Sequence, residues 1–215
     1  VDSVPVTEST GGVLNFRGLA VDDDGDIYVG GPGGGVILCE KAAGYECVET
    51  DISMGSGQAL MAMDADLELA PDGTVLVLSV DQVKKYSMEG ELLDTFELDR
   101  PMSQTTVTSL AVDPLGNFYV SFSAQRVGDD RQTVVQVYNQ NGSHSYNISL
   151  PMLVWYIHVD NIGVLYLTTY YTGAITMYAP EYLTPGGRIA SRPVSHVSGW
   201  RVHRLDAGRL APHGR

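Results

Sequence analysis

Cys39 and Cys47 stand on either side of Gly44, the placement of two residues facing each other across a short hairpin. Directly opposed strand residues have Cα separations that a disulfide tolerates, so a bridge here would staple the edge of a sheet. Two free buried thiols are the alternative, and a metal site would need more ligands than the nearby Glu40 and Glu46 provide. Two glycosylation sequons follow, at Asn141 (Asn141-Gly142-Ser143) and Asn147 (Asn147-Ile148-Ser149). Sequons and a disulfide together point to an extracellular setting, secreted or at the cell surface; a cytosolic protein with reduced thiols and unused sequons is the competing reading. The run Asp22-Asp23-Asp24-Gly25-Asp26 gathers hard oxygen ligands around a glycine turn, which suits calcium, but its spacing is not that of the twelve-residue calcium loop. No cofactor is expected beyond that one candidate cation.

These residues are positioned by a repeat. Leu19-Ala20-Val21-Asp22 leads through Gly25 to Ile27-Tyr28-Val29, and the same order recurs three times without gaps. Leu67 to Ala70 leads through Gly73 to Val75-Leu76-Val77, Leu110 to Asp113 through Gly116 to Phe118-Tyr119-Val120, and Ile157 to Asp160 through Gly163 to Leu165-Tyr166-Leu167. Each unit reads as strand, tight turn, strand. Glycine supplies a turn conformation with positive φ, and the Asp three residues before it in three copies can accept hydrogen bonds from turn amides. The flanking strands are apolar on both sides, as strands buried on both sheet faces must be. The turn glycines lie 43 to 48 residues apart, the length of a four-stranded blade. Third strands follow at Gln82–Tyr86, Val135–Tyr138 and Ala174–Tyr178, and hairpin turns at Gly90 and Gly142 lead into more polar outer strands, Glu91–Leu98 and Ser145–Leu150. The fold class is therefore all-β, a β-propeller of four-stranded antiparallel blades with at least four blade motifs.

One repeat position carries unlike residues. Five places before each turn glycine stand Ala20, Glu68, Ala111 and His158. Alanine suits a crowded inner strand, whereas an ionisable group there must be paired or face a water-filled channel. Glu68 and His158, with Asp160 nearby, are thus candidates to line a central tunnel and hold a polar ligand. The connection Ala124–Gln132 is longer than its counterparts and holds Arg126, Asp129, Asp130 and Arg131, which makes it a candidate contact with a protein partner.

The motif Leu110-Ala-Val-Asp113-Pro-Leu-Gly116-Asn-Phe-Tyr119-Val120, followed by Val135-Gln-Val-Tyr138 and Gly142, resembles the NHL repeat, and Gly18-Leu-Ala-Val-Asp22 to Tyr28-Val29 matches it almost as well. Ala70 replaces the turn Asp in the second copy, and the fourth lacks the glycine expected after Tyr178. The resemblance spans roughly residues 15 to 180 and extends to the related gluconolactonase-like propellers. It implies a six-bladed ring, of which four motifs are visible, and so favours part of a larger propeller, or an irregular one with degenerate blades, over a complete four-bladed ring. The domain reading is a propeller over 1–185, with blade motifs near 18–50, 66–98, 108–150 and 155–180, and a basic C-terminal extension over 186–215. That last stretch carries six arginines against one acid, Asp206.

The formal net charge of −13 excludes a nucleic-acid reading, which needs clustered Lys and Arg to displace counterions from phosphates. No apolar run is long enough to span a membrane as a helix. The first residue, Val1, leads to the expectation that the start is processed or cut from a longer chain. The functional expectation is a non-enzymatic extracellular or luminal module for protein interaction or structure, within a larger polypeptide or assembly. The alternative is a metal-dependent hydrolase or lyase of the kind built on related propellers, with Glu68, His158 and Asp160 at the tunnel.

Overall fold

The computed structural model describes residues 17–30, 34–53, 66–79, 81–101, 105–125, 131–169, 175–179 and 192–197. They form sixteen strands in four antiparallel sheets of four. Blade 1 holds β1 (Arg17–Val21), β2 (Ile27–Gly30), β3 (Gly35–Glu40) and β4 (Glu46–Ser53). Blade 2 holds β5 (Asp66–Leu69), β6 (Val75–Ser79), β7 (Gln82–Tyr86) and β8 (Leu92–Glu97). Blade 3 holds β9 (Thr106–Val112), β10 (Phe118–Gln125), β11 (Arg131–Tyr138) and β12 (His144–Leu150). Blade 4 holds β13 (Val154–Val159), β14 (Leu165–Thr169), β15 (Ile175–Ala179) and β16 (Arg192–Val197). Strands pair in sequence order within every blade, and the inner strands β1, β5, β9 and β13 succeed one another around a common axis. The chain is therefore a four-blade β-propeller, all-β among the described residues.

The repeated turn is built as its residue types require. Gly25, Gly73, Gly116 and Gly163 sit at φ between +77° and +87°. Asp22 Oδ1 accepts from the Asp24 and Asp26 amides at 3.1 and 2.8 Å, Asp113 Oδ1 from those of Leu115 and Asn117, both at 2.9 Å, and Asp160 Oδ1 from those of Ile162 and Val164 at 3.0 and 2.8 Å. In blade 2, where Ala70 stands in that place, Asp72 accepts from the Thr74 amide at 3.2 Å and pairs with Lys85 at 2.6 Å. Of the acids near Gly25, Asp22 and Asp26 thus hold backbone, Asp26 accepting from the Lys41 amide at 2.7 Å.

Among the described residues, three cores lie between the blades. Each blade turns one face toward the preceding blade, here its trailing face, and the other toward the next, its leading face. Ala20, Tyr28 and Val36 of blade 1 meet Leu67, Val75 and Val77 of blade 2. Leu78, Val83 and Phe96 of blade 2 meet Leu110, Phe118 and Phe122 of blade 3, where Phe118 stacks on Phe96 at 5.5 Å and on Tyr138 at 4.9 Å. Ala111, Val135 and Leu150 of blade 3 meet Ile157, Leu165 and Leu167 of blade 4. Blades 2 and 3 are covered on both faces in this way, which is why their central strands read apolar throughout.

Cys39 and Cys47 face each other across β3 and β4 and are joined in a disulfide, Cα to Cα 4.0 Å. Replacing both with serine frees the hairpin in the unfolded chain and is expected to cost about 2–3 kcal/mol in urea unfolding.

Two boundaries differ from the sequence reading. The connection taken as Ala124–Gln132 is shorter, because β10 and β11 continue their ladder out to Gln125 and Arg131. Ser123 Oγ and Thr133 Oγ1 sit 2.8 Å apart within it, so alternating hydroxyls extend the sheet where a loop was expected. The stretch 186–215, read as a basic extension, contains the outer strand of blade 4, since Arg192–Val197 pairs with β15. No glycine stands four places after Tyr178, where blades 2 and 3 place theirs, and the outer strand arrives after a longer connection.

Candidate functional site

The axis is lined from a repeat position that the sequence reading passed over. Seven places before each turn glycine stand Gly18, Asp66, Ser109 and Tyr156. All four line a cavity of about 420 Å³ between the inner strands, together with Leu19, Leu110, Ile157 and Glu68.

Asp66 is the hub of this ring. Its Oδ2 accepts from Ser109 Oγ at 2.8 Å and from the Leu110 amide at 3.0 Å, both on blade 3, and its Oδ1 accepts from the Leu67 amide at 3.0 Å. Ser109 Oγ in turn accepts from the Ile157 amide of blade 4 at 3.3 Å. One carboxylate and one hydroxyl thereby join blades 2, 3 and 4 at their inner edges. Blade 1 reaches the hub through an absence of side chain: Gly18 has φ +68°, and a Cβ there would lie 2.5 Å from the Leu67 nitrogen and 3.0 Å from Asp66 Oδ1. Only glycine lets the strands approach so closely.

Burial pushes the Asp66 carboxyl upward against the three donors, which favour its charge. Glu68, two residues along the same strand, is pushed up to about 8, first by burial and then by the charge of Asp66. Burial thus drives both carboxyls toward the protonated form, and each opposes the other's ionisation. Asp66→Ala strands the Ser109 hydroxyl and the Leu110 and Leu67 amides in a buried setting. It is expected to cost about 3 kcal/mol in urea unfolding, while Asp66→Asn, which keeps one acceptor oxygen, costs less.

The structure separates the other tunnel candidates from Glu68. In the shared repeat slot, Ala20 and Ala111 are buried between blades, whereas His158 is exposed on the leading face of blade 4, its ring 6.3 Å from that of Tyr166. Asp160 serves the blade 4 turn and accepts from Tyr166 Oη at 2.9 Å. Neither lines the cavity. Among the described residues, no three of His, Cys, Asp and Glu converge at a metal-sized site. Asn141 is exposed in the turn between β11 and β12, and Asn147 is exposed on β12, where its Oδ1 lies 2.8 Å from His144 Nε2. Arg126, Asp129 and Asp130 lie outside the described residues, and Arg131 opens β11. No described helix is long and apolar enough to cross a membrane.

No protein-family model matches the chain, and no curated protein is similar to it in sequence. Solved structures are similar in fold. A protein of unknown function from Bacteroides caccae superposes with a TM-score of 0.55 at 14% identity, over 88% of this chain and 62% of that one. The Dos1 propeller superposes with a TM-score of 0.53 at 13% identity, over 86% and 48%. The class shown is the β-propeller, and the chain spans less than two thirds of the length of either.

Proposed function

We propose that this chain is a non-enzymatic propeller module, NHL-like in its repeat, that serves protein interaction or structure in an extracellular or luminal setting within a larger polypeptide or assembly. The observation that carries the reading is the use of the axial polar groups. Asp66 and Ser109, which in a catalytic tunnel would face a substrate, are spent on joining three blades. The result is a rigid disc, and function on such a scaffold lives at its surfaces. The Cys39–Cys47 bridge and the two exposed sequons support the oxidising compartment.

Glu68 favours a second reading, a metal-dependent hydrolase or lyase with its site at the axis, because it lines the cavity with its carboxyl pushed up to about 8. Elemental analysis and mass spectrometry of the protein isolated from its natural source separate the two. The interaction module predicts an oxidised cysteine pair, glycans on Asn141 and Asn147, and no stoichiometric metal. Stoichiometric calcium or zinc that is lost in Glu68→Gln would replace it with the enzyme reading.

A further inference from the structure

The repeat permits a like-for-like comparison of burial at equivalent positions. Six places before the turn glycine, Leu67, Leu110 and Ile157 are 1%, 0% and 4% exposed, while Leu19 is 62% exposed. Three places before the residue paired with the start of the second strand, Val36, Val83 and Val135 are 1%, 0% and 0% exposed, while Ile175 is 45% exposed. The residue types are those of the core, and only the neighbour differs. Leu19 belongs to the trailing face of blade 1 and Ile175 to the leading face of blade 4. Val21 on the first and Tyr156 on the second are also exposed.

We propose that this open flank is a docking surface filled by further antiparallel blades of a longer polypeptide, which continue the ring from blade 4 round to blade 1. The proposal rests on the reading of the chain as a module within a larger protein, and it names what the flank receives. The three interfaces already formed show what each face takes: in every case an apolar trailing face of aliphatic and aromatic residues meets an apolar leading face of the same kinds. Blade 1 therefore calls for a leading face and blade 4 for a trailing one, and blades supply both. Burying such side chains is favourable in proportion to the apolar area withdrawn from water. The two solved structures similar in fold, the Dos1 propeller among them, extend well beyond the matched region, which is 62% of one and 48% of the other. A second copy would offer the same faces, but it would set two chains of net charge −13 side by side.

Hydroxyl-radical footprinting of the native protein, captured with an antibody to this chain, tests the proposal together with the denatured mass of the polypeptide. Leu115 and Ile162, exposed at blade turns away from the flank, are internal standards. The expected result is a polypeptide heavier than 23.2 kDa by more than one blade, with Leu19, Val21, Tyr156 and Ile175 labelled several-fold less than the standards. A polypeptide of 23.2 kDa overturns the proposal; if its flank is protected in a particle of twice that mass, the occupant is a second copy. A longer polypeptide whose flank labels like the standards overturns it too. Footprinting does not read metal content, so failure here leaves the choice between module and enzyme to the elemental analysis.

Discussion

Glu68→Gln is expected to stabilise the protein at pH 8 by as much as about 4 kcal/mol and to flatten its stability against pH. The carboxyl titrates near 4.5 when free and near 8 in the folded chain, because burial and the Asp66 charge both oppose its ionisation. Between those values the folded state holds a proton that the unfolded state has released, so stability falls as the pH rises through this window. Below about pH 4.5 the residue makes no such demand, and above 8 its full cost is present. Asp66 shifts in the same direction and adds to the slope. Glutamine stays neutral throughout, so urea midpoints taken from pH 5 to 8 should decline for the natural protein and much less for the variant. Equal slopes would show that Glu68 is solvated and does not share the cavity with Asp66.

A second large effect is expected at the outer rim. Gly142, in the turn between β11 and β12, has φ +77°, and a Cβ there would fall within the Phe96 ring, 2.6 Å from Cε1. Phe96 is a buried residue of blade 2 that stacks on Phe118 of blade 3, so the ring has no free direction in which to retreat. Gly142→Ala combines a left-handed backbone strain of about 1–2 kcal/mol with overpacking of about 1–3 kcal/mol. A total loss of about 3–4 kcal/mol is expected in urea or thermal unfolding. Gly73 provides the control, since it has the same φ of +77° with open space around it. Its replacement by alanine should show the backbone strain alone. Equal losses at the two positions would mean that the outer hairpin of blade 3 does not rest on blade 2.

The blades were legible because their signals are local. A glycine held at positive φ, an Asp placed to accept turn amides and apolar strands on both sides require no knowledge of the neighbours. The Cys39–Cys47 bridge was legible for the same reason, as the hairpin that holds it is defined within a few residues. The axial hub was not, because Gly18, Asp66, Ser109 and Tyr156 share no property that marks one position. The available signal was an acid two places before Glu68 on a strand, where alternate side chains share a face. His158 shares its repeat slot and face with Glu68, yet it does not line the cavity, and it stands exposed because no described blade packs over the leading face of blade 4. Leu19 and Leu67 show the general limit: the residue type is the same, and burial is decided by what packs against it. The outer strand of blade 4 escaped because no glycine stands four places after Tyr178, as Gly90 and Gly142 do after Tyr86 and Tyr138.

The most direct test of the account is a double-mutant cycle between Asp66→Ala and Ser109→Ala, read as urea stability. These residues are 43 apart in sequence and meet only if blades 2 and 3 are neighbours around one axis. The propeller predicts a coupling on the order of 1 kcal/mol or more, whereas additivity within about 0.5 kcal/mol would mean that the two inner strands do not meet.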